Sequence, residues 1–213
     1  MRPEEGDEIM KGWTRVVPGV ALLGMLALSC ATSTEMSGVW KDPSYVPTPV
    51  SKVLIIGIGE NALRIKNFED QFGQKFTARK LAVVTGTEVV PRDTVARSEF
   101  IRLVKETGSN LLITVRLVGM DKETSYVPGT TYMGSGGYGY GGYYYGSYAM
   151  VHDPGYVVQY KVYKVETNVY DVATEKMIWN GLSKTTDPAN AQDAINSLGD
   201  RVVYELSHAK IIP

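Results

Sequence analysis

A chain of 213 residues with 44% hydrophobic side chains has room for one core-bearing domain plus a targeting segment. Its 22 basic and 23 acidic side chains leave a formal charge of −1, with no basic block that could neutralise a run of phosphates, so nucleic acid is excluded as an expected partner. A single cysteine excludes an internal disulfide.

The chain opens on an acidic stretch (Glu4, Glu5, Asp7, Glu8), followed by Met10 and the basic residues Lys11 and Arg15. Residues 16–28, VVPGVALLGMLAL, are uncharged and mostly apolar, too short for a spanning helix and interrupted by Pro18, Gly19 and Gly24. A basic flank, an apolar run of this length and the small residue Ser29 predict a signal peptide over 1–29. The acidic first nine residues fit that segment poorly, and translation is expected to begin at Met10.

Cys30 follows directly. The stretch Ala27-Leu28-Ser29-Cys30 resembles the lipid-attachment site of bacterial lipoproteins, with Leu26 one place earlier than the usual leucine. The competing reading is a buried thiol. The resemblance implies acylation of Cys30 (palmitate-type chains) and a membrane partner held through those chains. Ala31, not an aspartate, stands after it, which in such proteins implies the outer membrane, facing the periplasm. Removal of 1–29 would leave equal numbers of acidic and basic side chains.

Residues 31–50 mix small polar residues with Pro43, Pro47 and Pro49. The first half reads as a flexible tether and the second as extended chain entering the domain, with Trp40 and Tyr45 packed on the body. The single domain is expected over 51–213. Lys52-Val53-Leu54-Ile55-Ile56-Gly57 is a buried strand. Phe68, Phe72 and Phe76 recur at helical spacing between charged residues, so Asn61 to about Lys80 is an amphipathic helix. A short strand is expected near Thr87–Val90, then a helix capped by Asp93 or Thr94 and stopped at Gly108. Leu111, Ile113, Val115 and Leu117 alternate along a third strand. Tyr156–Val172 is another, with a change of phase near Val162 that suggests a bulge. After a turn at 171–176 comes a strand with Met177, Ile178 and Trp179. Asp187 as N-cap and Pro188 at the first helical position open the last helix, with Ala191, Ile195, Leu198, Val202 and Leu206 on one stripe. The order β-α-β-α-β-[Tyr/Gly loop]-β-β-α predicts an α/β (α+β) sandwich, a mixed sheet with helices packed on it.

Few residues suggest chemistry. Gly57-Ile58-Gly59-Glu60-Asn61-Ala62 mimics a dinucleotide fingerprint, but no acidic residue ends a second strand at the required distance, and a plain strand-to-helix turn is the better reading. His152 and His208 lack metal-ligand spacing. Glu69, Asp70 and Glu166 are scattered, and no nucleophile motif is present. No catalytic residue, metal or cofactor is therefore expected beyond the lipid on Cys30.

The most unusual stretch is MGSGGYGYGGYYYGSYAM, residues 133–150, with six tyrosines and seven glycines. It lies in an expected loop over 130–155, at the apex of a hairpin joining Met120–Val127 to Tyr156–Val165. Glycine excludes a stable helix. Tyrosine supplies amphipathic contact area at low rotamer cost, so Tyr138, Tyr140, Tyr143, Tyr144, Tyr145 and Tyr148 form a candidate contact surface. A mobile loop, a glycan- or peptide-binding loop, and a surface for self-association or membrane contact remain open readings.

Taken together, VWKDPSY (39–45), KVLIIGIGEN (52–61), FEDQF (68–72), LVGMDKETSYVPG (117–129) and ETNVYDVATEKMIW (166–179) resemble a family of uncharacterised Gram-negative outer-membrane lipoproteins with a variable Tyr/Gly-rich insert. The element order also resembles the N-terminal domain of the Tol translocation protein B and the periplasmic part of the curli-secretion lipoprotein. These resemblances imply a non-enzymatic envelope binding or assembly module, with an envelope protein as partner. A glycan- or peptidoglycan-binding role for the tyrosine tract is the alternative, and an enzyme with an unrecognised site a more distant one.

Overall fold

The computed structural model describes residues 32–91, 95–133 and 150–213. Their elements are, in chain order, β1 (Ser33–Lys41), β2 (Lys52–Ile58), α1 (Ala62–Thr77), β3 (Ala82–Thr85), α2 (Gly86–Val89), α3 (Arg97–Glu106), β4 (Leu111–Val127), β5 (Thr130–Met133), β6 (Met150–Asp153), β7 (Tyr156–Asp171), β8 (Met177–Thr186) and α4 (Ala191–His208). Six strands form one open mixed sheet in the order β1-β8-β7-β4-β2-β3, and β5 pairs with β6 in a separate hairpin. β2 runs parallel to both β3 and β4, and the remaining pairs are antiparallel. This is the mixed α+β architecture expected from the sequence.

The period of each segment decides which face it covers. β2 is apolar at every position of its centre because it is buried on both faces: Val53, Leu54 and Ile55 have no exposed surface. On one face, called here the inner face, Val53, Ile55, Leu111, Ile113, Val115, Val169 and Trp179 meet Phe72 and Phe76 of α1 and Leu198, Val202 and Leu206 of α4. The phenylalanines form a row along α1, Phe68 stacked on Phe72 at 5.1 Å between ring centroids and Phe76 tilted against Phe72 at 5.4 Å. On the outer face a smaller cluster of Leu54, Leu112, Val104 and Val172 is covered by α3. Burying each such large side chain contributes about 1.5–3 kcal/mol, so the inner layer carries most of the stability.

Several boundaries differ from the sequence reading. The tether expected from residue 31 gives way at Ser33 to β1, an edge strand paired along β8 from Ser33 opposite Thr186 to Lys41 opposite Trp179. Tyr45 packs against the core, but Trp40 is 47% exposed on the outer face. The strand expected at 87–90 lies earlier, at Ala82–Thr85, and Gly86–Val89 form a single helical turn. α3 begins at Arg97 after Ala96; Asp93 and Thr94, the expected caps, lie outside the described residues. Gly108 does stop it, with φ +65°. β7 pairs without a break of its own near Val162. The bulge is on β4, where Val118 is the extra residue between the pairs Leu117–Val165 and Gly119–Lys164. α4 starts at Ala191, not at Pro188: Asn190 is its N-cap, accepting from Asp193 N at 2.9 Å, while Asp187 follows β8 directly with φ 43°.

Candidate ligand cleft at the carboxyl end of the sheet

The turn after β2 is held by a buried carboxylate. Glu69, 1% exposed on α1, accepts from Gly57 N at 2.9 Å, Thr87 N at 2.8 Å and Thr87 Oγ1 at 2.5 Å. One side chain thus ties the β2–α1 turn to the α2 turn and satisfies two backbone donors that no strand pairs. Gly86 is required beside it, since a Cβ there would lie 2.8 Å from Ile56 Cγ1 and 3.0 Å from Glu69 Oε1. The glycine motif therefore has a structural role: its first amide is engaged by Glu69. Asn61 closes the turn by accepting from Arg64 N at 3.0 Å, which caps α1.

Beyond this turn, α1, α4 and the inner face of the sheet line an open cleft of about 900 Å³. Its floor is apolar, built from Ile65 and Phe68 of α1, Val115 of β4, Val165 of β7 and Ile195 and Leu198 of α4. Its rim is polar and of mixed charge, with Glu60, Arg64, Lys161, Tyr163, Asp187 and Asn190. Both helix N-termini open at this end, and in each the cap side chain takes one amide of the first turn, Asn61 that of Arg64 and Asn190 that of Asp193. An apolar floor with a mixed rim suits an amphipathic ligand or side chains of a partner segment.

A second groove of about 480 Å³ lies on the outer face between α3 and the strands β4 and β7. Phe100, Ile101, Leu112 and Tyr170 line it, and Arg97, Arg116 and Lys105 stand at its margin. Arg116 pairs with Glu166 at 2.9 Å and Lys105 with Glu175 at 2.6 Å, so two of these three cations are engaged.

The remaining residues singled out from the sequence are scattered. Asp70 pairs with Lys66 at 3.0 Å, one helical turn away, and the bond holds the Lys66 ammonium above its ordinary range. His208 ends α4, its ring stacked on Tyr204 at 6.1 Å. His152 sits on β6 opposite Thr131. Cys30 and Tyr138, Tyr140, Tyr143, Tyr144, Tyr145 and Tyr148 lie outside the described residues. Among the described residues no helix is long and apolar enough to cross a membrane. The cleft itself was not foreseen. It needs α1 and α4 side by side, and its sequence signal is slight: Ile65 is apolar beside the Phe68–Phe72–Phe76 row, while Ile195 belongs to the α4 stripe itself.

No family model matches the chain, and no curated protein matches it. Distant likenesses to solved structures exist. A PelC dodecamer variant from Paraburkholderia phytofirmans gives a TM-score of 0.43 at 12% identity, covering 78% of this chain and 94% of that one. The lipoprotein GNA1162 from Neisseria meningitidis gives 0.39 at 8% identity, covering 74% of this chain and 99% of that one. A PDZ domain protein from Parabacteroides distasonis gives 0.36 at 9% identity, covering 83% of this chain and 37% of that one. With scores this low, these are similarities from which no activity is transferred.

Proposed function

We propose that the chain is an acyl-anchored lipoprotein of the outer membrane, facing the periplasm, that works without catalysis as an envelope binding or assembly module. The observation that supports a binding role best is the cleft between α1 and α4. In open sheets of this kind ligands are held beyond the carboxyl ends of the parallel strands, and β2 ends there at Ile58. The floor offers apolar burial and the rim offers Arg64, Lys161 and Tyr163 for orientation. The Cys30 anchor is supported by the apolar run and small residue that precede it.

The test is photo-crosslinking in intact cells from position 64 or 163, with a matched probe on the outer face at position 184. Partners captured from the cleft positions, and not from 184, are expected. Equal capture from both faces would remove the cleft from the reading. The alternative, glycan binding through the tyrosine tract, has its own readout. Binding to purified peptidoglycan that vanishes when 134–149 are deleted, while cleft crosslinks persist, would favour it.

A further inference from the structure

β4 and β7 continue as a two-stranded ribbon after their neighbours stop. The last β2 partner of β4 is Arg116, and the last β8 partner of β7 is Val162. Beyond these points the pairing partners of residues 122–127 are 156–161, and among the described residues neither outer edge has a strand partner, the one bond there running from Asp187 N to the Lys161 carbonyl at the root. Six residues of ribbon reach about 20 Å past the body.

The two ribbon faces differ in charge. On the outer face Asp121 bonds Lys164 at 2.5 Å, and Glu123 accepts from Tyr160 at 3.5 Å. Both ribbon acids are therefore on that side. The inner face carries Leu117, Met120, Lys122, Thr124 and Tyr126 on β4, with Val157, Gln159, Lys161 and Tyr163 opposite. Leu117, Met120, Tyr126 and Val157 are each more than half exposed. Lys122 stands directly opposite Lys161, and among the described residues neither makes an ion pair. Like charges in that position destabilise a strand pair unless an anion lies between them. A cationic pair flanked by exposed apolar and tyrosine side chains is the chemistry of an anionic amphiphile surface.

The position of the chain's N-terminal side says which surface. Ser33 pairs with Thr186, Thr186 with Val162 and Val162 with Asp121, so the start of β1 and the root of the ribbon lie in one row across the sheet. The strands β1 and β7 are two places apart, about 10 Å. The Thr32 carbonyl accepts from Ser197 Oγ of α4 at 2.9 Å, which holds Thr32 itself against the inner layer. Thr32 follows Cys30 by two positions, a reach of about 7 Å when extended. We propose that the inner ribbon face, with Leu117, Met120, Lys122, Tyr126, Val157 and Lys161, lies on the phosphate headgroups of the leaflet that holds the Cys30 acyl chains. This rests on the acyl-anchor reading above. The ribbon lies along the surface and does not plunge, because its unpaired backbone edges and four charged side chains need water.

The test uses the full chain, acylated in cells, purified and reconstituted into vesicles of phosphatidylethanolamine and phosphatidylglycerol. With Cys30 acylated, Thr124→Cys provides a single thiol on the inner ribbon face and Lys184→Cys one on the outer face of β8. Each is labelled with a small fluorophore. The expected result is severalfold weaker iodide quenching at position 124 than at 184, with strong quenching at 124 by brominated lipid. Adding Lys122→Gln and Lys161→Gln should return position 124 to the level of 184. An acylated chain whose two labels are equally open to iodide would overturn the ribbon contact and leave the anchor standing. An intact mass showing unmodified Cys30 would remove the anchor reading and this proposal with it. Iodide protection at 124 without bromolipid quenching, accompanied by crosslinks between copies, would place a second chain on the ribbon and likewise overturn the membrane contact.

Discussion

The two halves of β4 are one continuous strand in opposite surroundings. From Leu111 to Val115 it lies between β2 and β7, with α1 and α4 on one face and α3 on the other, and Ile113 has no exposed surface. After the bulge at Val118 it keeps β7 but loses β2, and Met120 and Tyr126 are 55% and 64% exposed. The same strand pair is core where flanking strands and helices continue and surface where they stop. Apolar content alone therefore does not distinguish a stabilising residue from a contact residue. The neighbours do.

The largest break in this comparison is expected from the body. Phe72→Ala removes a ring with no exposed surface that lies between Phe68 and Phe76 and packs under α4. A cost of about 3–5 kcal/mol is expected, from lost transfer energy plus the cavity left behind. Urea unfolding should show a lower midpoint at unchanged slope. A loss below 1 kcal/mol would mean that the inner layer does not hold the domain.

Glu69→Gln comes next. The amide keeps the volume but turns one acceptor into a donor facing Gly57 N or the Thr87 donors. Leaving a buried donor unsatisfied costs about 1–3 kcal/mol, and unfolding should register it. Gly86→Ala should fall in a similar range, because its Cβ would press on Ile56 and on the Glu69 carboxylate. If Glu69→Gln is neutral while Gly86→Ala is not, the turn is held by packing and not by the carboxylate.

The parts legible in the sequence were those whose periodicity reports burial. β2 is apolar throughout, α1 repeats Phe at every fourth place, and β4 and β7 flank a tract that cannot be helical. The parts that were missed have a local reason. β1, STEMSGVWK, is an edge strand whose inward positions are Thr34 and Met36, too weak an alternation to stand out. The apolar pairs around Glu88 blurred where β3 ends, and it is the demand of Glu69 for the Thr87 amide that turns the chain there. Asp187-Pro188 and Asn190-Ala191 both satisfy the chemistry of a helix start. The hydrogen bond from Asp187 N to the Lys161 carbonyl, 2.7 Å, keeps the first in the sheet and leaves the second to cap α4. The cleft and the opposed lysines depend on pairings distant in sequence, so no local pattern carries them.

On the ribbon the same kinds of substitution should do little to stability. Tyr126→Ser with Val157→Thr removes apolar surface from two facing residues that are 64% and 61% exposed. The expected shift in unfolding free energy is within about 0.5 kcal/mol. The iodide protection of position 124 in vesicles should nevertheless fall. A large stability loss instead would show that the ribbon is buried against something in the folded protein, which would erase the contrast with the body.

The smallest effect is expected from Asp121→Asn. Its hydrogen bond and charge hold the Lys164 ammonium above the ordinary lysine range. A raised lysine contributes stability that is present in full below its unfolded value and is lost as pH rises through the folded one, so the pair is intact at neutral pH. Both partners face solvent, however, and such pairs are screened by salt and offset by side-chain ordering. No measurable change in the thermal midpoint is expected at neutral pH and physiological salt, with a small decrease emerging only at low ionic strength. The variant matters more for the charge contrast between the ribbon faces. It releases Lys164 on the outer face without touching Lys122 or Lys161. If headgroup contact depends on which face carries the unpaired cations, quenching at position 124 should stay as it was. If net ribbon charge alone decides, the outer-face label at 184 should become protected as well, and the assignment of one face to the membrane would be wrong.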